Sequence, residues 1–411
     1  MEEVVNIHGT WGETENRKSV EQEESTLSIP AIRVRHSRFL LKFRCLTFNI
    51  NSQLLDPIPD ELLGCSAVPT NSGKDGTATS DTDVYVIATQ ENGFWSPWEK
   101  AWTAALGDNY QKIASSNLAA IHLVVFVRSE HAQYLRSVRM SKVATGVGNI
   151  VGNKGGVAAS LLFPGGRKVL LISSHLAAHD GKVQERNDDY NRIRRGLFES
   201  RQNLIPTPRK GRKRNQIADE SVLSPRAGET EAHENNPRLK PMLSSMKGRD
   251  VSDEHHVTIW MGDLNYRVNG NRRAVQHVLE GGMFEVLHAN DQLGKERKRG
   301  RAFVGFNEGD ITFPPTYKFD KDTDTYDTSS KSRIPSWTDR ILWKTGKGVD
   351  VGTVSLQQYT SLPSIKNSDH KPVVALFEVD LGRIAEHDRQ NDASFDEKDD
   401  FGRESCGCTI Q

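Results

Sequence analysis

Six apolar stretches in this chain of 411 residues end on, or are led in by, side chains that handle protons, metals or phosphate. Asn49 and Asn51 close LTFNIN, Gln90 and Glu91 follow VYVIAT, and His175 and His179 follow VLLISS. Asp263 and Asn265 follow VTIWM, Asp339 and Arg340 precede ILW, and Asp369 and His370 precede KPVVALFEV. Each pair alone reads as a turn or a cap, since Asp and Asn are ordinary turn residues. Recurrence at six strand ends points instead to a site, because a rigid sheet fixes the side chains at its ends. The chemistry these residue types share is metal-assisted hydrolysis of a phosphate ester. Hard oxygen ligands such as Glu91 and an Asn carbonyl suit Mg²⁺, which keeps several waters and is shared with phosphate oxygens. A His paired with a carboxylate orients or deprotonates a water, or holds the phosphoryl group as charge moves.

Other chemistries fail on spacing. GVGNIVGNKGG (Gly146 to Gly156) looks phosphate-binding, but Asn153 separates Gly152 from Lys154, so it lacks the GK[ST] of a P-loop. HLAAH (His175 to His179) has the i, i+4 histidines of a zincin without its Glu, and it follows a strand. His255 and His256 are adjacent in a polar loop, a poor metal pair. No Ser or Cys nucleophile arrangement competes.

The elements that must position these residues are short β-branched runs: Phe43 to Ile50, Val84 to Thr89, Ala120 to Val127, Val157 to Phe163, Val169 to Ser173, Val257 to Met261, Ile341 to Trp343 and Val373 to Val379. Helical spacing appears over Trp95 to Leu106, Gln184 to Phe198 and Arg272 to Leu279. The mix suggests strands in two layers with covering helices. Residues 65–82, rich in Gly, Ser and Thr, and about 203–254, rich in Pro, Ser and charge, read as loop insertions. The second carries RKGRKR (Arg209 to Arg214), a solvated loop on the bland reading and a patch for anionic lipid or a nuclear-import signal on the sharper one.

Lys plus Arg equal Asp plus Glu at 54 each, yet the balance is uneven. Residues 1–30 hold seven Glu against Arg17 and Lys18, and residues 385–405 hold eight acids against three basic residues, so each end is net −5 and residues 31–384 carry +10. Residues 203–250 take +4 of that excess, and the remaining +6 suits a small polyanion better than a long nucleic acid, so no nucleic-acid partner is expected. No apolar run approaches the length of a spanning helix. Glu2 and Glu3 stand where a secretory signal would be basic, and four dispersed cysteines fit a reduced compartment, so a cytoplasmic protein is expected. Nothing suggests an obligate oligomer.

Taken in order, these segments resemble the inositol polyphosphate 5-phosphatases, in the deoxyribonuclease-I-like superfamily of Mg²⁺-dependent phosphoesterases. WMGDLNYRV (Trp260 to Val268) and PSWTDRILW (Pro335 to Trp343) look like the two family signatures, with GNKGGVAAS, SSHLAAH, ERNDDY, GFNEGDITFPPTYKFD and SDHKPV around them. The resemblance runs from about Phe43 to Val379 and is greater to the type II and related enzymes than to the type I group. It implies an α+β fold, a four-layer α/β/β/α sandwich of two mostly antiparallel sheets packed face to face with helices outside. It also implies a catalytic domain over 31–384, after an acidic, disordered lead-in over 1–30. One departure is Phe48, where Trp is common before the Asn, which would alter a pocket wall; the other is the long second insertion.

Carried over residue by residue, the resemblance implies that Glu91 holds Mg²⁺ with Asn49 close to metal and scissile phosphate. Asp263 and Asn265 would position the attacking water. His370 would contact the 5-phosphate, with Asp339 fixing its tautomer and Asp369 in the same shell, and His175 would stabilise the pentavalent transition state. Whether Asp263 or His370 is the base stays open. Tyr317, Lys318, Lys331 and Arg333 would grasp the 4-phosphate, and Lys154 and Arg267 would meet other ring substituents or the 1-phosphate. The implied activity is Mg²⁺-dependent, in-line hydrolysis of the 5-phosphate of phosphatidylinositol 4,5-bisphosphate and 3,4,5-trisphosphate, and of soluble inositol polyphosphates. Competing readings are a nuclease or sphingomyelinase on the same fold, or an inactive phosphoinositide-binding module.

Residues 385–411 read as an acidic flexible tail whose last four residues, Cys408-Thr-Ile-Gln411, fit the CaaX pattern for a farnesyl chain. One prenyl chain binds membranes only marginally, so palmitoylation at Cys406 or the basic loop near Arg209 would supply a second signal. The expectation is a peripheral protein of the cytosolic leaflet that meets phosphoinositide headgroups at the membrane surface.

Overall fold

Continuous apolar residues over the expected runs give strands that bury one face against each other and the other against helices. The computed structural model describes residues 36–64, 81–93, 95–149, 151–199, 249–349 and 353–385. The acidic lead-in, nearly all of both insertions, RKGRKR, Cys406 and Cys408 lie outside the described residues. The strands are β1 (His36–Asn49), β2 (Val84–Gln90), β3 (Tyr110–Leu118), β4 (Ile121–Arg128), β5 (Ser137–Ala144) and β6 (Gly155–Phe163). They continue as β7 (Arg167–His175), β8 (Val257–Asp263), β9 (Asn307–Glu308), β10 (Asp339–Thr345), β11 (Val354–Ser361) and β12 (Val373–Ala385). The helices are α1 (Asp60–Leu63), α2 (Trp95–Leu106), α3 (Ser129–Ala132), α4 (Val183–Gly196), α5 (Arg272–Glu280), α6 (Phe284–His288) and α7 (Gln292–Lys298).

Two six-stranded sheets result, in the orders β11-β12-β1-β2-β4-β3 and β5-β6-β7-β8-β10-β9. Each has one parallel pair at its centre, β1 with β2 and β7 with β8, and antiparallel neighbours elsewhere. The inner faces meet over Phe43, Val86, Val125, Val157, Leu171, Ile259 and Phe377, all shielded from solvent. The outer face of the first sheet is covered by Trp98 and Trp102 of α2, and that of the second by Tyr190 and Ile193 of α4 with Phe303 and Phe306. This is the expected four-layer α+β sandwich. Among the described residues no helix is long and apolar enough to cross a membrane.

The four strands that the apolar runs do not reveal, β3, β5, β9 and β11, are the outermost strands of the two sheets. An edge strand pairs on one side only and is partly solvated, so its sequence (YQKIASSNL, SVRMSKVA, VSLQQYTS) carries no continuous apolar signal. Phe48 corrects one expectation: it is fully buried with Trp98 and Trp102 in the outer core under α2, not in a pocket wall.

Candidate active site

The topology gathers the polar strand ends at one end of the sandwich. In the first sheet β1 and β2 run parallel with Asn49 opposite Gln90, and β12 runs antiparallel to β1, so His370, just ahead of β12, returns to the end where Asn49 and Glu91 lie. In the second sheet β7 and β8 run parallel with His175 opposite Asp263, and antiparallel β10 brings Asp339 opposite Asp263. Gly262 allows this close approach. Its φ of 149° lies outside what side chains favour, and a Cβ there would sit 1.9 Å from the Ser174 carbonyl oxygen. Asn51, Ser52, Glu91 and Asn265, which leave the strand ends, all have positive φ, between 45° and 58°. Backbone held in this region is common where function fixes a turn.

Asp263 sits at the centre, almost wholly buried. Asn49 Nδ2 donates to its Oδ2 at 3.1 Å, the Asn265 amide donates to its Oδ1 at 3.1 Å, and His175 Nε2 lies 3.2 Å from Oδ2. Burial alone would raise its pKa, but His175, His370 and Lys154 hold the carboxyl well below the usual carboxylate range. Burial lowers His175, and the adjoining Lys154 ammonium lowers it further. Asn265 is fixed in turn, its Nδ2 donating to Leu176 O at 3.1 Å.

His370 and Asp339 form the second group. Asp339 Oδ2 is 2.7 Å from His370 Nδ1 and accepts from Thr338 Oγ1 at 2.8 Å. Burial would depress the imidazole, but the Asp339 carboxylate overrides it, with Asp369 and Asp263 adding to the effect, and raises His370 to about 10. The imidazole is therefore a cation at neutral pH. Ser368 ties the segment before β12 to the end of β1, donating to Asn49 O at 2.7 Å and accepting from the His370 amide at 3.2 Å.

Asp369 lies near enough to His370 to raise it, while its carboxylate accepts from Asn51 Nδ2 at 2.9 Å and pairs with Lys318 Nζ at 3.1 Å. The Lys154 ammonium lies against His175 Nε2, within the field of Asp263 and Glu91, and desolvation lowers its pKa. Beside the pair, the Arg267 guanidinium stacks 4.3 Å above the Tyr317 ring, and Tyr317 packs 4.5 Å from the His370 ring. Arg267 also donates to Asn265 O at 3.1 Å. Lys331 and Arg333 lie on a turn whose Asp327 amide donates to Lys318 O at 2.8 Å, and among the described residues their side chains make no hydrogen bond or ion pair.

The donor chemistry fits a hard divalent cation. Asp263, Asp339 and His370 offer ligand atoms within 4.8 Å of one another, and Asp339 Oδ1 is buried without a hydrogen-bond partner. Glu91 is exposed, and among the described residues no hydrogen bond engages its carboxylate. With His370 charged and its Nδ1 on Asp339, the carboxylate oxygens are the available ligands.

The residue-type pattern did not single out Thr338, Thr316, Ser368 or Arg186. The first three lie inside the quoted motifs, where a hydroxyl residue directly preceding Asp339, Tyr317 or Asp369 is the available signal. Arg186, in ERNDDY, is fully buried and binds the carbonyls of Ala177 and His179 at 3.1 and 2.7 Å, shaping the turn after His175.

Residues 46–376 match the family model of the endonuclease/exonuclease/phosphatase family 2. The chain is 32% identical to human synaptojanin-1 and 32% identical to the mouse type II inositol 1,4,5-trisphosphate 5-phosphatase, over 71% and 74% of its length. It is 34% identical to the human type IV phosphatidylinositol polyphosphate 5-phosphatase over 72% of its length. It spans only 17%, 27% and 41% of these relatives. The inositol polyphosphate 5-phosphatase domain of SpSynaptojanin, solved with inositol (1,4)-bisphosphate and a calcium ion, superposes with a TM-score of 0.64 at 26% identity, covering 86% of this chain and 88% of that one. A Cimex nitrophorin shares the fold at 22% identity and a TM-score of 0.56, so fold alone does not fix chemistry. The family match over most of the chain, with relatives of one kind, makes this protein a member of the endonuclease/exonuclease/phosphatase family, among the inositol polyphosphate 5-phosphatases.

Proposed function

We propose that the protein is a Mg²⁺-dependent phosphoric monoester hydrolase that removes the 5-phosphate from phosphatidylinositol 4,5-bisphosphate and 3,4,5-trisphosphate and from soluble inositol polyphosphates. The observation that carries this reading is the convergence of the Asp263 and His370 groups beside the cationic shelf of Arg267, Tyr317 and Lys318. A nuclease has no use for such a shelf, whereas a ring bearing several phosphates needs its neighbours held while one is attacked.

Asp263, ionised and ringed by donors, orients the attacking water. His370, already charged, is a poor base and instead binds the phosphoryl oxygens as negative charge grows, with Asp339 holding its Nδ1–H. Lys154 and His175 face the same developing charge. Glu91 and Asn49 hold the Mg²⁺, which polarises the phosphoryl group and neutralises its charge when bound. Lys318, kept in place by Asp369 and Asn51, takes the 4-phosphate with Tyr317, Lys331 and Arg333.

Cys408 is the proposed prenylation site and Cys406 the proposed second lipid site, placing the enzyme at the cytosolic leaflet. The test of the activity is phosphate release from a panel of phosphoinositides and soluble inositol phosphates, with and without Mg²⁺, beside Asp263→Ala. Release confined to 5-phosphorylated substrates, and lost in the variant, is expected; cleavage of DNA or sphingomyelin instead would overturn the assignment. Cys408→Ser is expected to move the protein from the membrane to the soluble fraction at unchanged turnover of a soluble substrate.

A further inference from the structure

The opposite end of the sandwich carries a basic pocket of about 400 Å³, lined by Arg38, Arg167, His256, Lys347, Asp380 and Gly382 among others. Arg167 opens β7 and His175 closes it, so the pocket lies about 26 Å from the active site, at ~3.3 Å per strand residue. Its cations are unequally satisfied. Arg38 pairs with Asp380 at 2.7 Å and Lys347 with Asp253 at 2.8 Å, but Arg167, half-buried, has no hydrogen bond or ion pair among the described residues. The Lys168 amide donates to His256 Nδ1 at 3.1 Å, which leaves the proton of the neutral ring on Nε2 as a free donor. Gly382 makes room for the guanidinium: a Cβ there would stand 3.2 Å from Arg167 Nη2. The Arg38–Asp380 pair shows the chemistry this wall accepts, a carboxylate from the end of the chain's last strand.

Three residues beyond Gly382 the last strand ends at Ala385, and the sequence continues with Glu386, Asp388, Asp392, Asp396, Glu397, Asp399, Asp400 and Glu404. We propose that this pocket is the docking site of the chain's own acidic tail, a carboxylate of residues 386–404 binding the Arg167 fork and His256. On a random-coil scale a stretch of about seven residues, the count from Ala385 to Asp392, spans ~15 Å, enough to turn back to Gly382. Its carboxylates are then present at an effective concentration in the millimolar range without any external partner. Docking holds the tail's net charge of −5 more than two Debye lengths, each about 8 Å, from the catalytic end, where it cannot repel a polyanionic substrate.

Zero-length carbodiimide crosslinking of the full chain, read by peptide mass spectrometry, tests this. The expected result is crosslinks from tail carboxylates to Lys347 or Lys168, falling about tenfold in Arg167→Ala and in about 0.5 M salt, and retained in part by Arg167→Lys. Melting temperature and turnover of a soluble substrate are expected to stay at the wild-type level in Arg167→Ala, which separates tail release from misfolding. Absence of tail crosslinks, crosslinks only from Glu2 to Glu24, or a yield unchanged in Arg167→Ala would overturn the proposal. So would saturable binding of inorganic phosphate to Arg167 with the tail uncrosslinked, which would assign the pocket to a free anion.

Discussion

Replacing Asp339 with Asn keeps the shape of the group beside His370 and removes its charge. Asp339 Oδ2 lies 2.7 Å from His370 Nδ1 in a solvent-free setting, and this carboxylate is the main reason the imidazole stays charged up to about 10. Without it, burial dominates and the imidazole titrates at or below its ordinary value of ~6.5. At about pH 7.5 the charged fraction then falls from nearly all to about one tenth or less, so kcat/KM is expected to drop at least ~10-fold, before any further loss from a misoriented ring. The loss should shrink as the pH falls toward about 5.5, where the remaining imidazole regains its proton. Stability gives an independent reading. A folded pKa raised above the unfolded value contributes stability that is complete below ~6.5 and disappears as pH rises through about 10. The melting-temperature deficit of the variant is therefore greatest in acid and narrows toward alkaline pH, within an upper bound of about 3–5 kcal/mol for breaking a buried pair. The assays are a pH profile of kcat/KM on a soluble 5-phosphorylated inositol phosphate and calorimetric melting across the same range. A wild-type to variant ratio that stays constant between about pH 5.5 and 8 would refute the assignment of His370 as a preformed cation.

Four further outcomes follow from the same geometry. Arg340 is buried with Asp291 at 3.1 Å and Glu308 at 2.6 Å, so Arg340→Met leaves buried Asp291 without a cation and Glu308 with Arg297 alone, and should cost ~3–5 kcal/mol, a fall of about 6–20 °C in a melting curve. Chelation should abolish turnover with recovery on adding Mg²⁺, and Glu91→Gln should raise the Mg²⁺ concentration for half-activity while leaving the melting temperature unchanged. Lys318→Ala should raise KM for 4,5-bisphosphorylated substrates at least ~10-fold and affect a substrate lacking the 4-phosphate far less, and Asp369→Asn should follow the same pattern more weakly. Glu99 lies on the buried face of α2; burial opposes ionisation, but His122, Lys112 and Ser115 bring its carboxyl down to about 2. Its stabilising contribution is present above the ordinary range near ~4.3 and is lost as pH falls through about 2, so Glu99→Gln should flatten the acid limb of the stability profile across that window.

Much of the fold is visible in the sequence because its central strands are buried on both faces. The runs around Val86, Val124, Leu171, Ile259 and Val374 are continuous and apolar, and no other environment would hold them. The polar residues closing those runs are equally plain, since each interrupts an apolar stretch at a strand end. Edge strands β3, β5 and β11 are not visible, because half their groups face water and their sequences look like loops.

What the sequence by itself determined is the inventory: Asn49, Glu91, His175, Asp263, Asn265, Asp339 and His370 at the ends of rigid strands, in motifs shared with one family. Tertiary structure decided the partnerships. Asp369 is adjacent to His370 in the chain, yet its carboxylate turns to Lys318 and Asn51, which the fold brings there from distant positions. Lys154 belongs to a glycine-rich turn, yet β6 pairs with β7 so that Gly155 stands opposite His175, and the ammonium enters the catalytic cluster. Asp339 opens β10 of one sheet and His370, 31 positions on, immediately precedes β12 of the other, and only the packing of the two sheets makes them one charged pair. Residue type and spacing are local properties of a chain, whereas the charge state of a buried imidazole depends on which carboxylate the fold brings within hydrogen-bonding distance.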